Sequence, residues 1–112
     1  MMIEKVICDY LTAQLSVTAL PEKPKRPFGK AIFVEKTGGR GKYIYESTFA
    51  VQSYANSKYE AAKLNDEVIE AMLFGLLASD EIVNVKLNSN YDYTDTTTKE
   101  YRYQAVFDIT HY

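Results

Sequence analysis

One cysteine, one histidine and no tryptophan leave this 112-residue sequence short of the side chains on which most site chemistry is built. Cys8 alone cannot form an internal disulfide, so nothing points to a bridge-stapled secreted fold. It lies beside the apolar stripe of an N-terminal helical pattern with no activating base in view, which predicts a buried, inert thiol. His111 has neither a second imidazole nor a cysteine near it in sequence, which argues against a histidine-based metal site or a catalytic triad. Long apolar runs are also missing. The longest, Ala71 to Ala78, is too short to span a bilayer, so no membrane contact is expected. Glu4, Lys5 and Asp9 break up the first apolar residues, which argues against a signal peptide and for a cytosolic chain. The length fits one domain over residues 1–112.

What the chain has is an uneven distribution of charge. The net charge is only −2, yet residues 22–42 hold seven cations against two anions, and the remainder holds 13 anions against 6 cations. A subunit with a basic side and an acidic side suits head-to-tail contact with its own copies. A short basic stretch that is only solvated surface is the simpler alternative.

The stretch from Lys42 to Ser79 organises the rest. Residues 43–54 are rich in β-branched and aromatic side chains in alternation and read as a strand. Ser57-Lys58-Tyr59-Glu60 then reads as a capping box. Behind it Ala61, Leu64, Val68, Ala71, Met72 and Gly75 recur at helical spacing, with Glu60, Lys63, Glu67 and Glu70 opposite. A helix of ~20 residues would reach about 30 Å, enough to cover a small sheet, and Asp80 ends it. The nearly all-apolar segment Ala71–Ala78 calls for burial by the first helix and the sheet, or for cover by another subunit.

Residues 2–15 predict a first helix, through Ile3, Val6, Ile7, Tyr10 and Leu11. Residues 16–20 read as a short edge strand. Three prolines between Pro21 and Pro27 make loop. Lys30–Thr37 reads as a strand, with Gly38–Gly41 as a hairpin tip. Pairing Thr37 with Lys42 sets Val34 opposite Tyr45 and Ile32 opposite Ser47, and puts Ile32, Val34, Tyr45, Phe49 and Val51 on one face. A second hairpin follows the long helix. Pairing Tyr93 with Tyr101 aligns Tyr91 with Tyr103, Leu87 with Phe107 and Val85 with Ile109, with residues 94–99 as its tip. The expected class is α+β: a mostly antiparallel sheet of four to five strands with two helices on one face, in the order α-β-β-β-α-β-β.

Motifs for cofactors do not hold up. Counting back from Gly41-Lys42, a phosphate loop needs glycine where Lys36 stands and Ser or Thr where Tyr43 stands. Asp92 and Asp95 lack the interior glycine and terminal glutamate of a calcium loop. No metal, cofactor or catalytic residue is therefore expected, and the chain does not read as an enzyme. Ten tyrosines remain to be explained, six of them as i, i+2 pairs (43/45, 91/93 and 101/103). They could form a base-stacking sheet for single-stranded nucleic acid. Alternatively they extend the core towards the sheet ends, with an oligomer interface between these extremes. The acidic chain and the lack of an aromatic-glycine RNA-binding signature favour the core.

The order helix, proline-broken loop, hairpin, helix, hairpin resembles the tail terminator or tail completion proteins of long-tailed bacteriophages, the group of the lambda minor tail protein U. The run from Phe49 to Ala62 is similar to the strand-to-helix junction of prophage members, and Tyr101–Ile109 to their closing strand. The resemblance implies a structural protein of the head–tail junction, in the virion and in the bacterial cytoplasm during assembly. It would form a ring, hexameric in the best-known relatives, that ends the tail tube and meets the head connector. The partners implied are the chain itself, a tail-tube protein and a head-completion protein. Contacts are then expected at Lys23, Lys25, Arg26, Arg40 and Lys42 of the basic stretch, and at Tyr93, Asp95 and Arg102 around the second hairpin tip. Arg40 and Lys42, if they line a lumen, would screen passing DNA without reading its sequence. A nucleic-acid-binding or other partner-binding module using the tyrosine face is the alternative.

Overall fold

A computed structural model describes residues 3–22, 29–41, 44–95, 97–98 and 100–112. The expected loop from residue 21 to 27 and four of the expected contact residues, Lys23, Lys25, Arg26 and Lys42, lie wholly or mostly outside these. Helix α1 (Ile3–Leu15) is followed by β1 (Ala19–Leu20), β2 (Ala31–Gly41) and β3 (Tyr45–Ala55). Helix α2 (Lys58–Phe74), β4 (Ile82–Asp92) and β5 (Tyr101–His111) complete the chain. The fold is α+β, with sheet order β1-β2-β3-β5-β4. The sheet is mixed: β1 runs parallel to β2 through Ala19–Ile32 and Leu20–Phe33, and the other pairings are antiparallel.

Both helices pack on one face over a single core. Ile7 and Leu11 of α1 and Leu64, Val68 and Met72 of α2 are buried with Phe49 and Val51 of β3 and Phe107 and Ile109 of β5. The α2 start follows the capping pattern, since the Glu60 amide donates to Ser57 Oγ at 3.2 Å. Cys8 is buried, and burial, with Asp9 and Glu4 adding to it, pushes its thiol up to about 11. The thiolate needed for nucleophilic chemistry is thus scarce at neutral pH.

Three boundaries differ from the sequence expectation. First, Gly38–Gly41 are strand, not hairpin tip: Val34 pairs with Val51 and Ile32 with Ser53, up to a bulge between Lys36 and Gly38. That is a slip of six residues from the expected register. Six is even, so Ile32, Val34, Phe49 and Val51 still share the helix face. Gly41, at φ +128°, turns the chain where an added Cβ would lie 2.3 Å from the Ile44 carbonyl oxygen. Tyr45 keeps the helix face as well, but at the end of the strand it is 41% exposed.

Second, β4 carries a bulge between Leu87 and Ser89. Val85–Ile109 and Leu87–Phe107 pair as expected, but Tyr91 then meets Gln104, not Tyr103. A one-residue slip reverses every later side chain, so Tyr91 and Tyr93 go to the face away from the helices and Asn90 turns towards them. Asn88, the bulge residue, donates to Asp108 Oδ2 at 3.0 Å. Asn90 meets the buried Asn65 of α2, whose Nδ2 donates to it at 2.6 Å.

Third, α2 ends at Phe74 and the chain tightens into a 3-10 turn over Leu76–Ala78. The Tyr10 hydroxyl donates to the Ala71 carbonyl at 2.9 Å and crosses directly above Gly75, where a Cβ would sit 1.8 Å from it. Glycine at 75 is what lets α1 lie this close. Gly75→Ala should therefore cost about 1–3 kcal/mol through forced displacement. Tyr10→Phe alone should cost about 1 kcal/mol for the lost hydrogen bond. In the Tyr10→Phe background the alanine should cost clearly less than in wild type; equal costs in urea denaturation would contradict the close approach.

Candidate functional site

The antiparallel order sends the two hairpins to opposite ends of the sheet. At one end Gly41, Tyr45, His111 and Ile82 lie in one row across the strands. At the other Ala31, Tyr54 and Arg102 do, and the Tyr93 amide donates to the Arg102 carbonyl at 2.9 Å. Eleven-residue strands rise about 35 Å, which separates the hairpins by most of the molecule's 43 Å length. The expected contact residues therefore divide into two groups. Tyr93, Asp95 and Arg102 come together at one pole, and Arg40 stands at the other.

At the Arg102 pole, the bulge at Asn88 and the strand alternation bring tyrosines, glutamines and one arginine onto the face opposite the helices. Arg102 Nε donates to the Tyr93 carbonyl at 2.7 Å and Nη1 donates to the Tyr54 hydroxyl at 3.0 Å. Its guanidinium lies 4.5 Å from the Tyr93 ring centre and 5.7 Å from that of Tyr54, within cation–π range. Tyr54 is held edge-on by Phe33 at 5.2 Å and donates to Gln52 at 3.3 Å. Gln52 donates to Gln104 at 2.9 Å, and Gln104 in turn to the Tyr91 hydroxyl. Tyr91 meets Tyr93 edge to face at 5.9 Å, and each is 42% exposed. The result is an arginine fixed between tyrosines, with two partly exposed rings beside it.

The acids at this pole shape the hairpin. Asp95 Oδ1 accepts from the Thr97 and Thr98 amides at 2.9 and 3.3 Å, and these bonds hold its carboxyl below its ordinary range. Asp92 accepts from the Thr94 amide at 3.0 Å and pairs with Lys58, at the start of α2, at 3.0 Å. Hydrogen bonds from Thr94, with Lys58 next, bring the Asp92 carboxyl down to about 2. The hairpin is thereby tied to α2 by a charge pair.

The opposite pole is rich in glycine and carries Lys36 and Arg40 beside Glu35 and Glu46. Glu35 to Gly41 are exposed, and Arg40 reaches Glu46 across the hairpin at 3.4 Å. Among the described residues β1 covers only Ile32 and Phe33, so the edge of β2 beyond them has no paired strand. His111 closes this end. Its Nε2 lies 2.7 Å from Ser47 Oγ, its Nδ1 lies 3.1 Å from the Tyr112 carbonyl, and Tyr45 stacks on its ring at 5.7 Å. Ser47 is 1% and His111 6% exposed, so this Ser–His pair is buried and braces β3 against β5.

Among the described residues no group of three or more His, Cys, Asp or Glu side chains converges to hold a metal ion, and no helix is long and apolar enough to cross a membrane. Sequence patterning missed Tyr54, Gln52, Gln104 and Tyr91 as neighbours of Arg102. Strand alternation alone places Tyr54 with Gln52 and Gln104, but only the bulge adds Tyr91 and Tyr93. No protein-family model matches the chain, and no curated protein shows significant similarity to it.

The depressed carboxyl of Asp92 has a consequence for pH. A group whose pKa falls on folding, here from 3.8 to about 2, contributes stability that is complete above pH ~4 and lost as pH drops through 2. Asp95 and Asp108, also lowered, act in the same direction. Thermal melting between pH 5 and 2 should show the midpoint falling. Asp92→Asn should lower it at pH 7 and flatten the acid limb; an unchanged slope would contradict the assignment.

Proposed function

We propose that this chain is a non-catalytic assembly subunit of the head–tail junction of a long-tailed bacteriophage, as its resemblance to tail terminator proteins implies. In this reading it associates head to tail into a closed ring, which ends the tail tube and joins it to the head connector. Its partners are further copies of itself, a tail-tube protein and a head-completion protein, and its place is the virion, after assembly in the host cytoplasm. The observation that carries the reading is the bipolar sheet. One pole is a glycine-rich hairpin that carries Lys36 and Arg40 on a strand edge unpaired among the described residues, and the other is a fixed Arg102–tyrosine cluster some 35 Å away by strand rise. Unlike surfaces at opposite ends favour heterologous contacts, which close into rings when the rotation allows. Tyrosine and arginine held in one conformation are also the side chains that carry most binding energy at interfaces.

A second reading has one observation in its favour, the pair of part-exposed rings of Tyr91 and Tyr93 beside Arg102, which could stack bases of single-stranded nucleic acid. Asp92, Asp95 and Glu100 lie on the same hairpin and would repel a phosphate backbone.

Light scattering after size exclusion, with and without tail tubes, separates the two. The assembly reading predicts one discrete oligomer that grows in with protein concentration and weakens at high salt. Arg102→Ala should weaken it about tenfold, or ~1.4 kcal/mol. A monomer under every condition, tail tubes included, that binds oligonucleotides would contradict it and establish the second reading.

A further inference from the structure

A groove of about 290 Å³ runs between α1 and α2, remote in sequence from both hairpin tips, and Tyr10, Leu15, Glu67, Glu70, Phe74 and Gly75 line it. Its makeup runs against the interest of the isolated subunit. Phe74 on its rim is 81% exposed, the most exposed large apolar side chain among the described residues. Leu77, three residues on, is 47% exposed. Glu67 and Glu70 sit in the C-terminal half of α2, and its last turn carries no basic residue. A helix C-terminus is the negative end of the macrodipole and favours cations, and Glu70 stands directly before that last turn. Glu67 and Glu70 are moreover like charges at i, i+3. The ion pairs among the described residues, Lys5–Asp9, Arg40–Glu46 and Lys58–Asp92, leave both without a cation.

Local choices that disfavour the lone subunit mark places where something else is expected to bind. An exposed aromatic beside uncompensated acids fits a partner that brings both cations and apolar surface. This chain carries such a partner surface itself. Residues 58–81 hold two lysines against six acids, and residues 22–42 hold seven cations against two acids. Of those cations, Lys30, Lys36 and Arg40 are described and exposed.

We infer that the α1–α2 groove is the acidic half of a contact between copies of this chain, and that the exposed β2 edge of a second copy, with its Lys36 and Arg40, meets it. The inference rests on the assembly reading above and adds to it a specific surface. Phe74 supplies the apolar anchor and Glu67 and Glu70 the polar rim, so the charges set which end meets which while the ring supplies contact area. Gly75 keeps the floor open. With the Tyr10 hydroxyl already directly over it, nothing larger fits.

Sedimentation velocity on the full-length chain tests this with charge swaps, circular dichroism melting serving to confirm that each variant is folded. E67K/E70K and K36E/R40E should each lose association by at least about tenfold, and Phe74→Ser should weaken it severalfold. Mixing the two charge-reversed variants, or combining all four substitutions in one chain, should restore association to near the wild-type level. If wild type assembles and E67K/E70K and Phe74→Ser assemble equally well, the groove is not the contact, and the assembly reading stands without it. Loss in E67K/E70K that K36E/R40E fails to rescue would overturn the assigned occupant and point to a basic partner of another kind. Wild type that stays monomeric, alone and on tail tubes, would remove the assembly reading and this contact together.

Discussion

Eleven consecutive residues of β3 pair with eleven of β5, from Tyr45–His111 to Ala55–Tyr101, with no bulge anywhere along the run. This is the constraint on which the other elements depend. It joins two hairpins that are far apart in sequence and places Phe49 directly opposite Phe107, both fully buried beneath the helices. Because β3 and β4 both run antiparallel to β5, they point the same way, and the chain must travel back along the sheet between them. Helix α2, at 17 residues, covers about 26 Å of that return and buries its apolar side on the same strands. Bulges occur only in the flanking strands, where β2 and β4 adjust to the uninterrupted centre.

Those bulges also explain what could and could not be read from the sequence. The class, the order of elements and the buried face followed from periodicity, because hydrophobic alternation records which side of a strand is covered. The slip of six residues in the β2–β3 hairpin left that side unchanged, so Ile32, Val34, Phe49 and Val51 were placed correctly in the wrong register. Glycines 38, 39 and 41 read as a turn because glycine is a turn residue; their lack of side chains serves equally well in an exposed strand edge. Of the two extra residues in β4, at Val83 and Asn88, the second was invisible, since an alternating Leu87, Ser89, Tyr91, Tyr93 series looks regular. Its effect is large, for it moves two tyrosines off the core face and onto the Arg102 cluster.

Of the candidate site, one half was legible. Tyr93, Asp95 and Arg102 were expected near a hairpin tip and are found together there. The geometry that gives them a distinct role, the guanidinium held between Tyr54 and Tyr93, depends on cross-strand neighbours that no local pattern specifies. Arg40 was expected at the other tip and stands there, exposed, opposite Glu46. The α1–α2 groove had a partial signal in the apolar run Ala71–Ala78. The first helix covers part of that run where Tyr10 meets Gly75, and it leaves Phe74 outside. The charge imbalance between residues 22–42 and the remainder was the most direct statement in the sequence. It gains a physical setting in a subunit whose two ends differ in shape and in the side chains they present.

Hydrogen exchange followed by mass spectrometry, on dilute and on concentrated protein, tests the head-to-tail account most directly. Heterologous contact requires two different surfaces on each copy, so association should protect the exposed edge from Lys36 to Gly41 and, separately, a second surface on the Arg102 hairpin or in the α1–α2 groove. Protection confined to one surface would mean a two-fold contact between like patches, and no ring could grow from it.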